Sequence, residues 1–328
     1  MLDLISIGDS VVDTYIPLEE ATQTEVNGVE MLAVRAGSKV PVGISQSMVG
    51  GNAANNAVGA ARLNLKTAIY TNVGNKDDDQ YDDRIKEKLK KEGVDIRYVV
   101  ESPDLASNHN VILSYKGQRT ILIHHQEWQF QLPDLEQTKW IYLTSMAPSY
   151  VKTNVIDQLV NYIERNRAKL VYQPGTFQLR QGKQKNARLL SLAQLVVMNK
   201  EEATEFLGYQ AGEEIDIKRL LTELVNLGSH SVIITDGANG SYGVSHDQYW
   251  HLSTFPTELV EVTGAGDAYA TGVTASLIYG NDLAEAMRWG AANSASVVQQ
   301  FGAQAGLLNY DQIQKVLSEN KKLKPTEI

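Results

Sequence analysis

Cysteine is absent from the 328-residue chain. That excludes disulfides, thiolate zinc sites and cysteine nucleophiles, and it suits a reducing compartment. Histidine is scarce, with six residues. The adjacent pair His124 and His125 would face opposite sides of a strand, so the two cannot share one metal ion and at most one can face a ligand. There is no excess of basic charge either. Lys plus Arg is 30 against Asp plus Glu 39, for a net charge of -9, and without a basic stripe no nucleic-acid partner is expected. The opening MLDLISIGDS has an early Asp3 and only a short apolar run. It reads as neither a signal peptide nor a membrane span, so no membrane partner and a cytoplasmic location are expected. No repeat, low-complexity tract or linker divides the chain, and residues 1–328 read as one domain with a sizeable core.

What is present is alternation. Short apolar runs at Leu4–Ile7, Ala68–Val73, Trp140–Leu143, Leu170–Tyr172, Leu195–Met198 and Ser231–Thr235 read as buried strands. Between them, Asn52–Leu63, Asp82–Glu92, Val151–Arg167, Glu201–Leu207 and Ile217–Leu227 have helical spacing, with Gly93, Gly208 and Gly228 as stop signals. The pattern predicts an α/β fold with a mostly parallel sheet covered by helices on both faces. Gly264–Tyr279, Leu283–Gln300 and Asp311–Asn320 read as consecutive helices. Residues 14–49 carry strand-type alternation, and HNVILSYKGQRTILIH reads as a hairpin turning at Lys116 and Gly117. A small β-sheet lid built from about 14–49 and 95–125 is expected. Trp128 and Phe130 follow at same-face strand spacing, either to stack on a base or to fill the core.

The stretch VEVTGAGDAYATG at Val260–Gly272 sets three small residues against an aspartate. If a helix starts near Gly264, the amides of Gly264, Ala265, Gly266 and Asp267 are its unpaired donors, open to an anion. A carboxylate beside an anion hole is costly for storage. It makes sense if Asp267 takes a proton from a hydroxyl attacking a phosphoryl group held there. A plain Gly-rich helix start with Asp267 on the positive dipole end stays open on spacing alone. A dinucleotide fingerprint fails because Tyr269 stands where a third small residue is needed.

These residues resemble the C-terminal signature of the PfkB (ribokinase-like) carbohydrate kinases, and four further stretches agree in order. GGNAANNAVGAARLN at 50–64 resembles the N-terminal signature, IGDSVVD at 7–13 ends in the family's substrate aspartate, NKEE at 199–202 fits its Asn-x-x-Glu motif, and ITDGANGSYG at 234–243 fits its nucleotide loop. The resemblance implies a ribokinase-like three-layer α/β/α sandwich that moves the γ-phosphoryl group of ATP to a hydroxymethyl group of a small carbohydrate, or of a nucleoside as the alternative. It implies Asp267 as general base and Gly264, Ala265 and Gly266 as stabilising amides. Asn199 and Glu202 would organise Mg²⁺ through water. Thr235, Gly237, Gly240 and Asn293 would meet the nucleotide, and Asp13, Gly50, Gly51 and Asn55 the acceptor. Lids of this kind frequently pair, which leaves a homodimer through the lid open.

The departures from the pattern bear on chemistry. Glu261 and Val262 replace the usual Asp and Thr, and the extra methylene of Glu261 counts against a K⁺ site behind the anion hole near Gly302 and Ala303. Asn52 replaces the lysine of ribokinases, which argues against simple ribose, and QPGTFQLR lacks a usual acid. Arg119 could meet an acidic or phosphorylated sugar. Two rivals are weaker: a GDS-type hydrolase with Ser10 as nucleophile has no suitably placed histidine, and a non-catalytic binding protein would not need Asp267 and its glycines intact.

Overall fold

The computed structural model describes residues 1–26, 29–75, 81–116, 118–210 and 213–328; the expected turn residue Gly117 lies outside them. The chain begins with β1 (Leu2–Ile7), β2 (Val11–Pro17), β3 (Thr22–Val26), β4 (Val29–Ala33) and β5 (Gln46–Gly50), then α1 (Asn52–Arg62), β6 (Thr67–Gly74), α2 (Tyr81–Lys91) and β7 (Asp95–Ser102). The hairpin β8 (His109–Tyr115) and β9 (Gln118–His124) leads to β10 (Thr138–Leu143), α3 (Val155–Asn166), β11 (Lys169–Tyr172), α4 (Thr176–Arg180) and α5 (Gly182–Leu192). β12 (Ala193–Asn199), α6 (Lys200–Leu207), α7 (Ile217–Val225), β13 (Ser231–Thr235), β14 (Ser241–Ser245) and β15 (Gln248–Leu252) follow, and α8 (Ala265–Ile278), α9 (Leu283–Val297), α10 (Tyr310–Glu319) and β16 (Thr326–Glu327) close the chain.

Among the described residues, ten strands form one sheet in the order β16-β15-β14-β13-β12-β11-β10-β1-β6-β7. From β7 to β13 every neighbouring pair is parallel, and β14 to β16 add antiparallel strands at one edge. Burial of both faces explains the continuous apolar runs. Along β12, Val196 and Met198 join Ile5, Ile141 and Ile234 under α3, α5, α6 and α7, while Leu195 and Val197 join Leu4, Tyr142 and Ile233 under α8, α9 and α10. This two-sided cover is the expected layered sandwich.

A separate four-stranded sheet, β5-β2-β8-β9, stands beside the main one, and β3 and β4 pair as their own ribbon. This corrects the expected lid boundary at about 95. β7 pairs in parallel with β6 at the edge of the main sheet, with Tyr98 buried in the core. Among the described residues of 95–125, the part that joins the small sheet is the β8–β9 hairpin. Two further differences are local. The expected helix over Val151–Arg167 is interrupted: a short 3₁₀ turn over Pro148–Lys152 ends at an extended Thr153, and α3 starts at Val155. Trp128 and Phe130 lie on no strand but are buried in the main core.

One side chain ties several segments to the site. Arg62, in the last turn of α1, makes a two-pronged ion pair with Glu92 at 2.8 Å and donates to the carbonyls of Gln304 and Leu307. The ion pair with Arg62 first, and then that with Lys88, hold the Glu92 carboxyl down at about 2 against its burial. Arg62→Ala should therefore cost about 2 kcal/mol or more, read from urea unfolding at pH 7. Because Glu92 binds its proton more weakly folded than unfolded, the pair stabilises above the ordinary glutamate pKa and its contribution fades as pH falls toward about 2. The gap between parent and variant should narrow on acidification.

Candidate active site

Parallel strands deliver their C-terminal ends to one edge. Where the order reverses beside β1, between β10 and β6, a cleft is the geometric result. Asp9 after β1, Ser145 after β10, Gln173 after β11, Asn199 ending β12 and Thr235 ending β13 all line a polar cavity of about 350 Å³ there. The small sheet supplies its other wall through Asp13, Asn110, Ile112, Arg119 and Ile121.

The N-terminus of α8 enters this cavity. Gly264 is its N-cap, in the left-handed region at φ 79. Gly264, Gly266 and Asp267 face the polar cavity. Ala265 does not; it lines the neighbouring cavity and its amide donates to the Val262 carbonyl at 3.2 Å. The expected set of anion-binding amides is thus corrected by one, since a turn bond already uses Ala265.

Asp267 is buried and held by two amides from α1: Asn52 Nδ2 donates to Oδ1 at 2.9 Å and Asn55 Nδ2 to Oδ2 at 2.8 Å. Gln304 Nε2 in turn donates to Asn55 Oδ1 at 3.0 Å, which fixes that amide's orientation. Burial raises the Asp267 carboxyl above the usual aspartate range, while the hydrogen bonds from Asn55 and Asn52 and the charge of Arg119 pull the other way. The diglycine permits this approach. Gly51, at φ 92, caps α1 where a Cβ would meet the Asp9 carbonyl at 2.6 Å. A Cβ on Gly50 would lie 2.3 Å from Asp13 Oδ2.

Asp13 is buried on β2 and accepts from Asn110 Nδ2 at 2.9 Å. Burial first, then the charges of Asp267 and Glu261, push it up to about 6 against that hydrogen bond. Asn199 and Glu202 form a reciprocal capping box on α6, with Glu202 N to Asn199 Oδ1 at 2.7 Å and Asn199 N to Glu202 Oε2 at 3.0 Å. Both residues also line the polar cavity, and burial raises the Glu202 carboxyl to about 6. A capping role and a site role therefore coincide.

A second, apolar cavity of about 540 Å³ adjoins the first, and the two share Thr235, Val262 and Gly266. Gly237 and Gly240 line it, with Phe255, Tyr269 and Ala295. Gly240, at φ 89, lets its loop pass the Leu252 carbonyl where a Cβ would be 2.1 Å away. Asn293 is not part of this wall. It is fully buried, donating to the Ala268 carbonyl at 2.8 Å and accepting from Leu308 N at 3.0 Å, and its neighbour Ser294 faces the cavity instead.

Glu261 does not fit a K⁺ site. Its Oε1 accepts from Thr263 N at 2.8 Å, its Oε2 from Gly302 N at 3.3 Å, and Arg119 brings a guanidinium to Oε1 at 3.4 Å while also donating to Thr263 Oγ1. A fixed cation already sits at that carboxylate. Ser10 is fully buried and lines neither cavity, which removes the hydrolase reading's nucleophile. Sequence reasoning missed Asn110, Gln304 and the holding of Asp267 by Asn52. The alternation of HNVILSYK, which puts Asn110 and Ile112 on one strand face, was the available signal for the first.

The family model described as pfkB family carbohydrate kinase matches residues 20–309. A ribokinase of Staphylococcus aureus (strain COL) is 24% identical over 319 residues, covering 95% of this chain and 99% of that protein. Among solved structures, a ribokinase of Arabidopsis thaliana complexed with ribose and ATP superposes with a TM-score of 0.79 at 20% identity, covering 96% of this chain and 98% of its own. A nucleoside kinase of Methanocaldococcus jannaschii gives 0.78 at 19% identity, covering 98% and 99%. At such identities the two structures speak for the fold. Taken with the family match, the chain belongs to the pfkB family of carbohydrate kinases, phosphotransferases with an alcohol group as acceptor.

Proposed function

We propose that the protein transfers the γ-phosphoryl group of ATP to a hydroxymethyl group of a small carbohydrate, with Asp267 as general base. The observation that carries this reading is the position of Asp267: a buried carboxylate at a helix N-terminus where an apolar and a polar cavity meet. In this reading the base of ATP lies in the apolar cavity and its phosphates reach the α8 amides through the shared wall at Thr235 and Gly266. The acceptor lies in the polar cavity against Asp13 and Asn55, and its hydroxyl gives a proton to Asp267 as it attacks. Positioning and charge stabilisation then supply most of the rate.

Mg²⁺, when bound, supplies positive charge to the phosphates. Among the described residues no three His, Cys, Asp or Glu side chains gather to hold a metal. Glu202 and Asn199, side by side on the cavity wall, suit contact through the ion's water shell. Ile112, Ile121 and Ile123 of the small sheet line the acceptor cavity and would exclude water from it.

Coupled ADP release with Mg²⁺, ATP and a panel of sugars and nucleosides tests the reading. The same assay carries a pH prediction. Proton uptake disables Asp267 as a base, and Asp13 and Glu202, both at about 6, lose their charges in the same range. Turnover should fall on acidification through about pH 6, well above the ordinary aspartate range. A profile flat down to about pH 4.5 would count against any need for the Asp13 and Glu202 charges in turnover.

A further inference from the structure

The end of β1 and the end of β9 bring one more polar pair to the wall of the polar cavity. Asp9 is 6% exposed. Its Oδ1 accepts from Ala147 N at 3.1 Å, whereas its Oδ2 is buried without a partner. His125, also on the cavity wall, places Nδ1 3.8 Å from that oxygen, and this nitrogen too is buried without a hydrogen bond. Phe177 meets the imidazole edge-on, with centroids 5.4 Å apart.

The separation of 3.8 Å is too long for a direct hydrogen bond. A hydroxyl oxygen about 2.8 Å from each atom would satisfy both, and since both atoms are closed to solvent in this structure, the two side chains must turn toward the cavity to meet it. Burial pushes the Asp9 carboxyl up to about 8 and the His125 imidazole down to about 4. Near neutrality the pair is therefore uncharged and matched to an uncharged partner. Buried polar groups left unpaired are costly, and such groups on a cavity wall point to a ligand. None of the contacts holding Asp267 or Asp13 uses either residue.

The remaining charges of the cavity argue in the same direction. Asp13, Glu202 and Asp267 face it, and its guanidinium, Arg119, is engaged by Glu261 and Thr263. An anionic acceptor would meet three carboxylates and a guanidinium whose charge is already offset by Glu261. We propose that Asp9 Oδ2 and His125 Nδ1 together hold one hydroxyl of the acceptor and so select an uncharged polyhydroxylated acceptor over a sugar acid or a sugar phosphate. The proposal rests on the kinase reading above.

The test is steady-state ADP release by the parent, Asp9→Leu, His125→Phe and the double variant with D-ribose, D-fructose, adenosine, D-gluconate and D-fructose 6-phosphate. Thermal melting of each protein is followed in parallel. The neutral acceptors should be preferred by the parent, the response to adenosine against the free sugars separating nucleoside from sugar. Each single variant should raise the KM of the preferred acceptor about 10–100-fold, with kcat and the KM for ATP unchanged. The double variant should lose less than the product of the two, because both groups hold one hydroxyl. His125→Gln, which keeps a polar atom, should recover part of the affinity. Asp9→Asn, nearly the same shape as the uncharged carboxyl and still a donor, should likewise recover affinity and melt no lower than the parent, so that the KM effect of Asp9→Leu is separated from a folding effect. Unchanged acceptor KM in both variants, or a parent that prefers gluconate or fructose 6-phosphate, overturns the proposal while leaving the kinase standing. No ADP release with any of the five overturns both.

Discussion

Asp267→Asn is expected to lower kcat about 10²–10⁴-fold while ATP binding, measured by calorimetry, stays near that of the parent. The two side chains are nearly the same shape, and the amide cannot accept the hydroxyl proton. Among the described residues no other carboxylate of the cavity stands ready to take over: Asp13 is held on β2 by Asn110, Glu202 is half-used in its capping box, and burial keeps Asp9 protonated near neutrality. The fold should tolerate the change. Burial raises the Asp267 carboxyl, so the folded state binds its proton more tightly than the unfolded chain and the charged form opposes folding increasingly as pH rises above the ordinary aspartate value. Removing that charge offsets the acceptor lost by Asn52 and Asn55. Turnover within about tenfold of the parent would remove Asp267 as general base. Unchanged melting with turnover lost would separate chemistry from stability, and would also dispose of a non-catalytic binding protein.

Part of the candidate site is legible in the sequence because its local structure is set by neighbouring residues. Gly264, Gly266 and Asp267 sit together as a helix start, and the Asn199–Glu202 spacing is that of a capping box. The parallel strands were readable because burial on both faces makes them apolar throughout. What was not readable depends on how distant elements pack. Asn52 and Asn55 reach Asp267 only because α1 lies against α8, an approach set by contacts such as Asn56 Nδ2 to Thr271 Oγ1 at 3.1 Å and Gly59 beside the Thr271 methyl. Asn293 has the composition of a solvated helical asparagine, and only the fold turns it inward onto Ala268. β7 was assigned to the lid because its alternation is that of any half-buried strand; its partner, β6, is named by topology alone. Helices α4 and α5 were missed behind the Pro-Gly of QPGTFQLR, which reads as a turn although a helix starts at Thr176.

Gly264→Ala and Gly266→Ala are one residue type two positions apart, yet they should fail in different ways. At Gly264 the backbone is left-handed, which costs an L-residue about 1–2 kcal/mol. An added Cβ would also lie 2.4 Å from Ala303 Cβ and 2.6 Å from its Cα, backbone that has no flexible end to yield. Either the start of α8 or the 302–303 loop must move, carrying the anion-facing amides with it. Displacing a reacting geometry by about 1 Å costs on the order of 10²-fold in rate. The variant should therefore lose both melting temperature and turnover. At Gly266 the nearest atom to a new Cβ is Gln173 Nε2 at 3.9 Å, so the helix has room, and alanine favours it by up to about 1 kcal/mol. But Gly266 lines both cavities where they meet, and its methyl would stand where the transferred group must approach the amides. Gly266→Ala should melt at or above the parent temperature while its kcat/KM for ATP falls at least about tenfold. If it instead kept full activity, phosphate would not be passing that amide, and the anion hole at the head of α8 would have to be placed elsewhere.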